Sequence, residues 1–201
     1  MEQVESVRRQ TQEEAKKLLA ILPLIRRSLG FFDREKLKAA GEANDSINGE
    51  LEDKAEQLLE LCLNKPSRND MEQIRPALNE LHNLRMISRK FATFMEELKI
   101  RIAENIMFSD RAYGQLDYLW QSVAELFQLV IELSPSGSEE EREKITSRCR
   151  QLSRLMNQYD IEHEERLIRG ICPIKASSMY LNMLDSIRGI VRCLSNICAN
   201  F

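Results

Sequence analysis

Apolar residues recur at three- and four-residue intervals along nearly the whole chain, which puts them on one face of an α-helix. A half-buried strand would need strict alternation, and no stretch alternates. The pattern has few interruptions, with 7 glycines and 5 prolines in 201 residues. Turns are therefore rare and elements long. The spacing predicts helices over 3–29, 34–63, 70–104, 110–133, 139–168 and 174–199. At about 25 residues each they are ~37 Å long. The fold class is all-α.

The stops between helices are legible as local chemistry. In "LGFFD" (29–33), Gly30 is read as lying just past the first helix and Asp33 as capping the second. "NKPSRND" (64–70) is the second break. Ser109 suits the N-cap of the fourth helix, and Ser138 with Glu141 has the spacing of a capping box. Gly170 and Pro173 read as a C′ residue followed by an N1 residue. Pro23 and Pro76 fall inside helices, where each removes a backbone hydrogen bond and favours a kink. The polar run "NDSING" (44–49) is expected to distort the second helix.

Composition narrows the function classes. Hydrophobic residues are 43% of the chain, enough for a real core. With 29 Lys and Arg against 32 Asp and Glu, the chain lacks the basic excess of a nucleic-acid binder. The 5 cysteines are odd in number and include no C-x-x-C. They are read as packed thiols in a reducing compartment. Cys172, just before the last helix, sits where a thiol pKa can fall, but packing is the preferred reading there too. His82 and His163 stand alone and offer no zinc-ligand pair. No apolar leader opens the sequence, and the longest apolar run, 18–25, is too short to cross a bilayer. A cytoplasmic protein is expected.

One internal echo stands out. Asn79-x-Leu81-x-x-Leu84-Arg85-x-Ile87-x-Arg89 recurs as Asn182-x-Leu184-x-x-Ile187-Arg188-x-Ile190-x-Arg192. It divides the helices three and three and suggests a duplication, with units at 1–105 and 106–201. On a helical wheel, Leu84, Ile87, Phe91, Phe94 and Met95 form one apolar stripe; Tyr180, Ile187, Ile190, Val191 and Leu194 form the other. Both arginine pairs lie well off these stripes, so they face solvent at least in part. Two readings stay open. The arginines belong to a solvated face with ion pairs to neighbouring acids, or they form a pair of anion sites, which planar guanidinium suits.

The segments "AGEANDSINGELEDKAEQLLEL" (40–61), "NELHNLRMISRKFATF" (79–94), "ENIMFSDRAYGQLDYL" (104–119) and "RLIRGICPIKASSMYLNMLDSIRGIVRCLSNI" (166–197) carry a resemblance. The chain resembles the PhoU-like family, regulators of bacterial phosphate uptake. It is most similar to the PhoU-like cytosolic domain of bacterial sodium/phosphate cotransporters. The resemblance implies two tandem three-helix bundles. It also implies where the relatives hold metal ions: an E-x-x-x-D motif on the third helix of each repeat, joined by acids of the second helix. At those positions this chain has Arg85 and Arg89, then Arg188 and Arg192. Guanidinium has no lone pair to donate and repels cations. No metal site and no cofactor is expected, and the four arginines become candidate contacts for an anion or an acidic partner.

Other clusters read as structure. The acid runs at 139–143 and 162–166 suit a helix N-terminus and a helix surface. Ser177 and Ser178 belong to no S-x-x-K arrangement and have no histidine nearby in sequence. Trp120, Phe127, Tyr118 and the methionines are read as packing residues, and the scattered glycines make no phosphate loop. No feature indicates an enzyme. The resemblance implies a non-enzymatic regulatory domain of phosphate uptake, part of or partner to a sodium/phosphate cotransporter. It would contact the transporter's membrane domain or a signalling protein at the cytosolic face of the inner membrane. The alternatives are a module that binds phosphate or polyphosphate through the arginine pairs, and a ligand-free helical scaffold. A homodimer is left open.

Overall fold

The computed structural model describes residues 2–63, 66–133 and 137–199. It contains α1 (Glu2–Phe31), α2 (Arg34–Leu63), α3 (Arg68–Ala103), α4 (Asp110–Glu132), α5 (Glu139–Ile168) and α6 (Ile174–Cys198). No strand occurs among the described residues. Each helix starts and ends within two residues of its predicted bounds.

Side-chain caps set most of the starts. Asp33 Oδ1 accepts from the Lys36 amide at 3.0 Å, and Ser109 Oγ accepts from the Ala112 amide at 3.3 Å. Ser138 and Glu141 close the expected capping box, at 3.2 Å and 2.7 Å. A second box, Ser67 with Asp70, starts α3 earlier than the periodicity indicates. Each cap satisfies an orphan N–H and contributes about 1 kcal/mol. Gly170 takes the C′ role with φ +67°.

Three local expectations need correcting. Gly30 lies inside α1, and the left-handed residue of that turn is Phe32, with φ 54°. Gly30 serves the close approach of α4 instead: a Cβ there would stand 2.8 Å from the Tyr113 hydroxyl. Pro173 is the N-cap of α6, one position before N1. The run at 44–49 does not interrupt α2, because Asn44 is buried and donates to the Ser88 carbonyl of α3 at 3.2 Å. Crossing to another helix pairs the side-chain N–H of Asn44 without breaking its own helix. The polar segments at 64–65 and 134–136 lie outside the described residues.

Packing makes two three-helix bundles side by side. α2 touches α1 and α3; α5 touches α4 and α6; α1 meets α4, and α3 meets α6. α2 and α5 are therefore outermost. Both apolar stripes turn inward as expected, with every member of each buried. Phe91 and Phe94 pack on Trp120 with ring centroids 5.7 Å and 4.6 Å apart, the second pair edge to face. Each such side chain contributes roughly 1.5–3 kcal/mol through burial. Tyr118 is not a packing residue: at two positions from Trp120 it falls on the opposite face and is 45% exposed. Of the cysteines, Cys149, Cys193 and Cys198 are buried as expected, whereas Cys62 and Cys172 are half-buried.

A buried arginine joins the bundles at one end. Arg101 Nη1 donates to the Leu29 carbonyl at 2.5 Å and Nε to the Ile106 carbonyl at 3.1 Å. Its guanidinium lies between the Phe32 and Phe108 rings, 4.4 Å and 4.6 Å from their centroids. One side chain thus ties the end of α1, the α1–α2 turn and the α3–α4 connection.

Glu80 sits where α1, α3, α4 and α6 converge, beside Ala15, Leu84, Phe127 and Ile197. Burial raises its pKa from 4.5 to about 7, with Arg8 opposing weakly. The folded protein therefore keeps a proton up to about pH 7 that the unfolded chain releases near pH 4.5. Folding takes up a proton across that window, so stability falls as pH rises through it. Glu80→Gln is expected to flatten this fall and to stabilise the protein by about 3 kcal/mol at about pH 8. Urea unfolding at about pH 5 and about pH 8 measures it. An unchanged pH dependence in the variant contradicts the assignment.

Candidate functional site

The contact between α3 and α6 is antiparallel, as its polar pairs show in order. Asn196 Nδ2 donates to Asn83 Oδ1 at 3.3 Å, Lys90 Nζ to Asp185 Oδ2 at 3.4 Å, and Asn182 Nδ2 to Glu97 Oε1 at 2.7 Å. Lys175 with Glu104 completes the run. At its centre the stem of Lys90 lies over Gly189, where a Cβ would come within 2.6 Å of Cε. The echoed arginines lie on these two helices, one pair on each.

Within each pair the two arginines differ, and they differ in the same way in both halves. Arg85 Nη2 donates to Glu52 Oε1 of α2 at 2.7 Å. Arg188 Nη2 donates to Asp160 Oδ2 of α5, with Asp185 a second acid 3.7 Å from Nη1. So the first arginine of each pair holds an acid on the second helix of its own bundle, α2 or α5. Arg89 and Arg192 are exposed and have no carboxylate within ion-pair distance among the described residues; Arg89 reaches only Met86 Sδ, at 4.0 Å. The side chains of Arg85 and Arg188 are 23% and 36% exposed. Pairs so open to solvent contribute about 0–1 kcal/mol, so their consequence is electrostatic. They cancel two of the four charges and leave two free. An oxyanion bracketed by Arg85 and Arg89 would first have to displace Glu52.

The arrangement also bears on metal binding. The acids nearest these positions on the second helix of each bundle, Glu52 of α2 and Asp160 of α5, are taken up by guanidinium groups. Among the described residues no group of three or more His, Cys, Asp and Glu side chains is placed to hold a metal ion. A cation beside Arg85 or Arg188 would meet repulsion and no added donor. The residues do not fit the metal cluster implied by the resemblance.

A second constellation escaped sequence reasoning. The run at 162–166, read as a helix surface, turns His163 inward, where it is 2% exposed. There it stacks on Tyr180 of α6, with centroids 4.6 Å apart, and approaches Ser177 across a small cavity. Tyr180 O–H donates to Gln115 Oε1 of α4 at 2.8 Å. These residues come from three helices, so no linear spacing reveals them. The one local signal is a histidine among glutamates on the apolar period of α5.

No protein-family model and no curated protein matches the sequence. Comparison with solved structures finds the crystal structure of the phosphate transport system regulatory protein PhoU from Streptococcus pneumoniae. It superposes with a TM-score of 0.83, covering 98% of this chain and 92% of that chain, at 13% sequence identity. The chain has the PhoU fold. The PhoU fold is an all-α bundle, and here it is reached with almost entirely different side chains. The likeness therefore speaks for the backbone, and the chemistry of the surface has to be taken from this chain's own residues.

The arginine geometry makes a direct expectation for metal content. Protein purified without chelator should carry no stoichiometric iron or zinc by elemental analysis. One or more tightly held transition-metal ions per chain would show that other side chains serve in place of the arginines.

Proposed function

We propose that this chain is a non-enzymatic regulatory domain of phosphate uptake. The observation that carries the reading is the structural likeness to a phosphate transport system regulatory protein over 98% of the chain. In this reading the chain consists of two duplicated units, residues 1–105 and 106–201. The repeated split of the arginine pairs supports that division, since each half holds one tethered and one free arginine.

The domain works by helix contact with the membrane part of a transporter or with a signalling protein. No helix among the described residues is long and apolar enough to cross a membrane. The membrane-crossing part of such a system is supplied by a partner or by another segment of the same polypeptide, as in a sodium/phosphate cotransporter. The site of action is then the cytosolic face of the inner membrane. Arg85, Arg89, Arg188 and Arg192 form the contact face. Arg89 and Arg192 meet acidic residues of the partner, while Arg85 and Arg188 fix α2 and α5 beside them. Exposed cations of this kind steer association and make it salt-sensitive.

Uptake of labelled phosphate by cells lacking the protein tests the reading. Loss of the protein should change the uptake rate at unchanged transporter abundance. Wild type should restore it, and the doubly reversed Arg89→Glu/Arg192→Glu variant should not. Identical uptake with and without the protein would contradict a role in phosphate transport.

A further inference from the structure

At one end of the second bundle, the α3–α4 connection, the α5–α6 turn and the first turns of α6 enclose a cavity of about 50 Å3. Ser109, His163, Cys172, Ala176, Ser177 and Tyr180 are among its walls, and no carboxylate is. The exposed side chains of Met107 and Ile171 stand beside it.

Two buried side chains in these walls are unspent. His163 and Ser177 are 2% and 3% exposed, and His163 Nε2 and Ser177 Oγ have no hydrogen-bond partner among the described residues. Buried polar atoms are nearly always paired, so each calls for a partner. The identity of the histidine atom follows from its neighbour. Arg166 Nη2 lies 3.3 Å from His163 Nδ1. Guanidinium can only donate, so Nδ1 accepts and the ring proton is on Nε2. Burial, and after it Arg166, lower the pKa of His163 against the smaller opposing pull of Asp160 and Glu164, which favours the neutral ring. The unpaired atom is therefore an N–H donor, held in plane by the stacked Tyr180 ring.

The helix end adds donors of the same kind. Pro173 caps α6 without a side-chain hydrogen bond. The first N–H groups of α6, that of Ala176 among them, have no acceptor within their own helix. They also mark the positive end of its dipole. Behind the imidazole stands the charge of Arg166, whose Nε and Nη1 are likewise buried without partners. A cation has no place here, because the histidine nitrogen it would need is protonated and no carboxylate lines the cavity. The His163 Nε2–H and the first amides of α6 are donors, and the Ser177 hydroxyl can donate beside them.

We propose that this cavity is a binding site for a small tetrahedral oxyanion, of the size of inorganic phosphate or sulfate. Its volume sets the size limit. One water needs about 10–15 Å3 on this measure, so the space admits roughly four water-sized atoms and no nucleotide or phosphate chain. The oxyanion accepts from His163 Nε2–H, Ser177 Oγ–H and the α6 N-terminus. This assignment does not rest on the chain being a transport regulator, and it places the anion away from the arginine pairs.

Nuclear magnetic resonance on the labelled full chain tests it with inorganic phosphate as the probe. Phosphate should shift the amide signals of residues 174–177 saturably, and sulfate should compete. Ser177→Ala should weaken binding about tenfold, while Ser178→Ala, on the exposed side of the same turn, should not. No saturable shift in wild type would mean that the cavity holds water only. Shifts centred on Arg85 and Arg89, or equal affinity in Ser177→Ala, would also overturn the assignment.

Discussion

The antiparallel packing of α3 on α6 is the constraint around which the rest is arranged. It requires two long helices to stay in register from Asn83 opposite Asn196 to Glu104 opposite Lys175. The register is set by the inward stripes, in which Leu84, Ile87, Phe91, Ile187, Ile190 and Leu194 are all 1% exposed or less. With that contact fixed, α1 and α4 close the core from one side, and α2 and α5 are left to the outside. Arg101 and its two phenylalanines then anchor the point where the chain passes from the first bundle to the second. The same contact sets the two echoed segments on adjoining helices.

In those segments the sign of the charge has physical consequences that the fold does not. Carboxylates at these positions would draw cations; guanidinium groups repel them and draw acids. The chain answers half of its own charge, through Glu52 and Asp160, and leaves Arg89 and Arg192 toward solvent. A PhoU-like backbone is thus combined with arginines at positions where the resemblance implies carboxylates. The donor-lined cavity at the start of α6 is independent of these arginines. It depends on burial and helix-end geometry, where a small anion is shielded from salt, whereas the open arginines are screened over about 8 Å at physiological ionic strength.

The six helices were legible because every turn carries the signal. Each buried residue of α3 from Leu84 to Leu98 repeats the period, and Ser109 and Ser138 punctuate it in the expected way. The outward placement of the arginines followed from the same wheel. What escaped depends on contacts between helices. Gly30 resembles a turn glycine until Tyr113 is found against it. The polar run near Asn44 resembles a break until Ser88 supplies an acceptor. Glu52 and Asp160 are two acids among many until the third dimension sets them beside Arg85 and Arg188. His163 and Ser177 carry no shared motif and meet only because α5 and α6 pack.

In the proposed function, the surface bearing Arg89 and Arg192 is the one that meets the transport machinery. Site-specific photocrosslinking in cells asks this directly. A photoreactive residue at position 89 or 192 should capture an integral membrane transport protein, and the same residue at exposed Tyr118 on α4 should not. Capture from position 118 alone, or equal capture from all three, would contradict the claim.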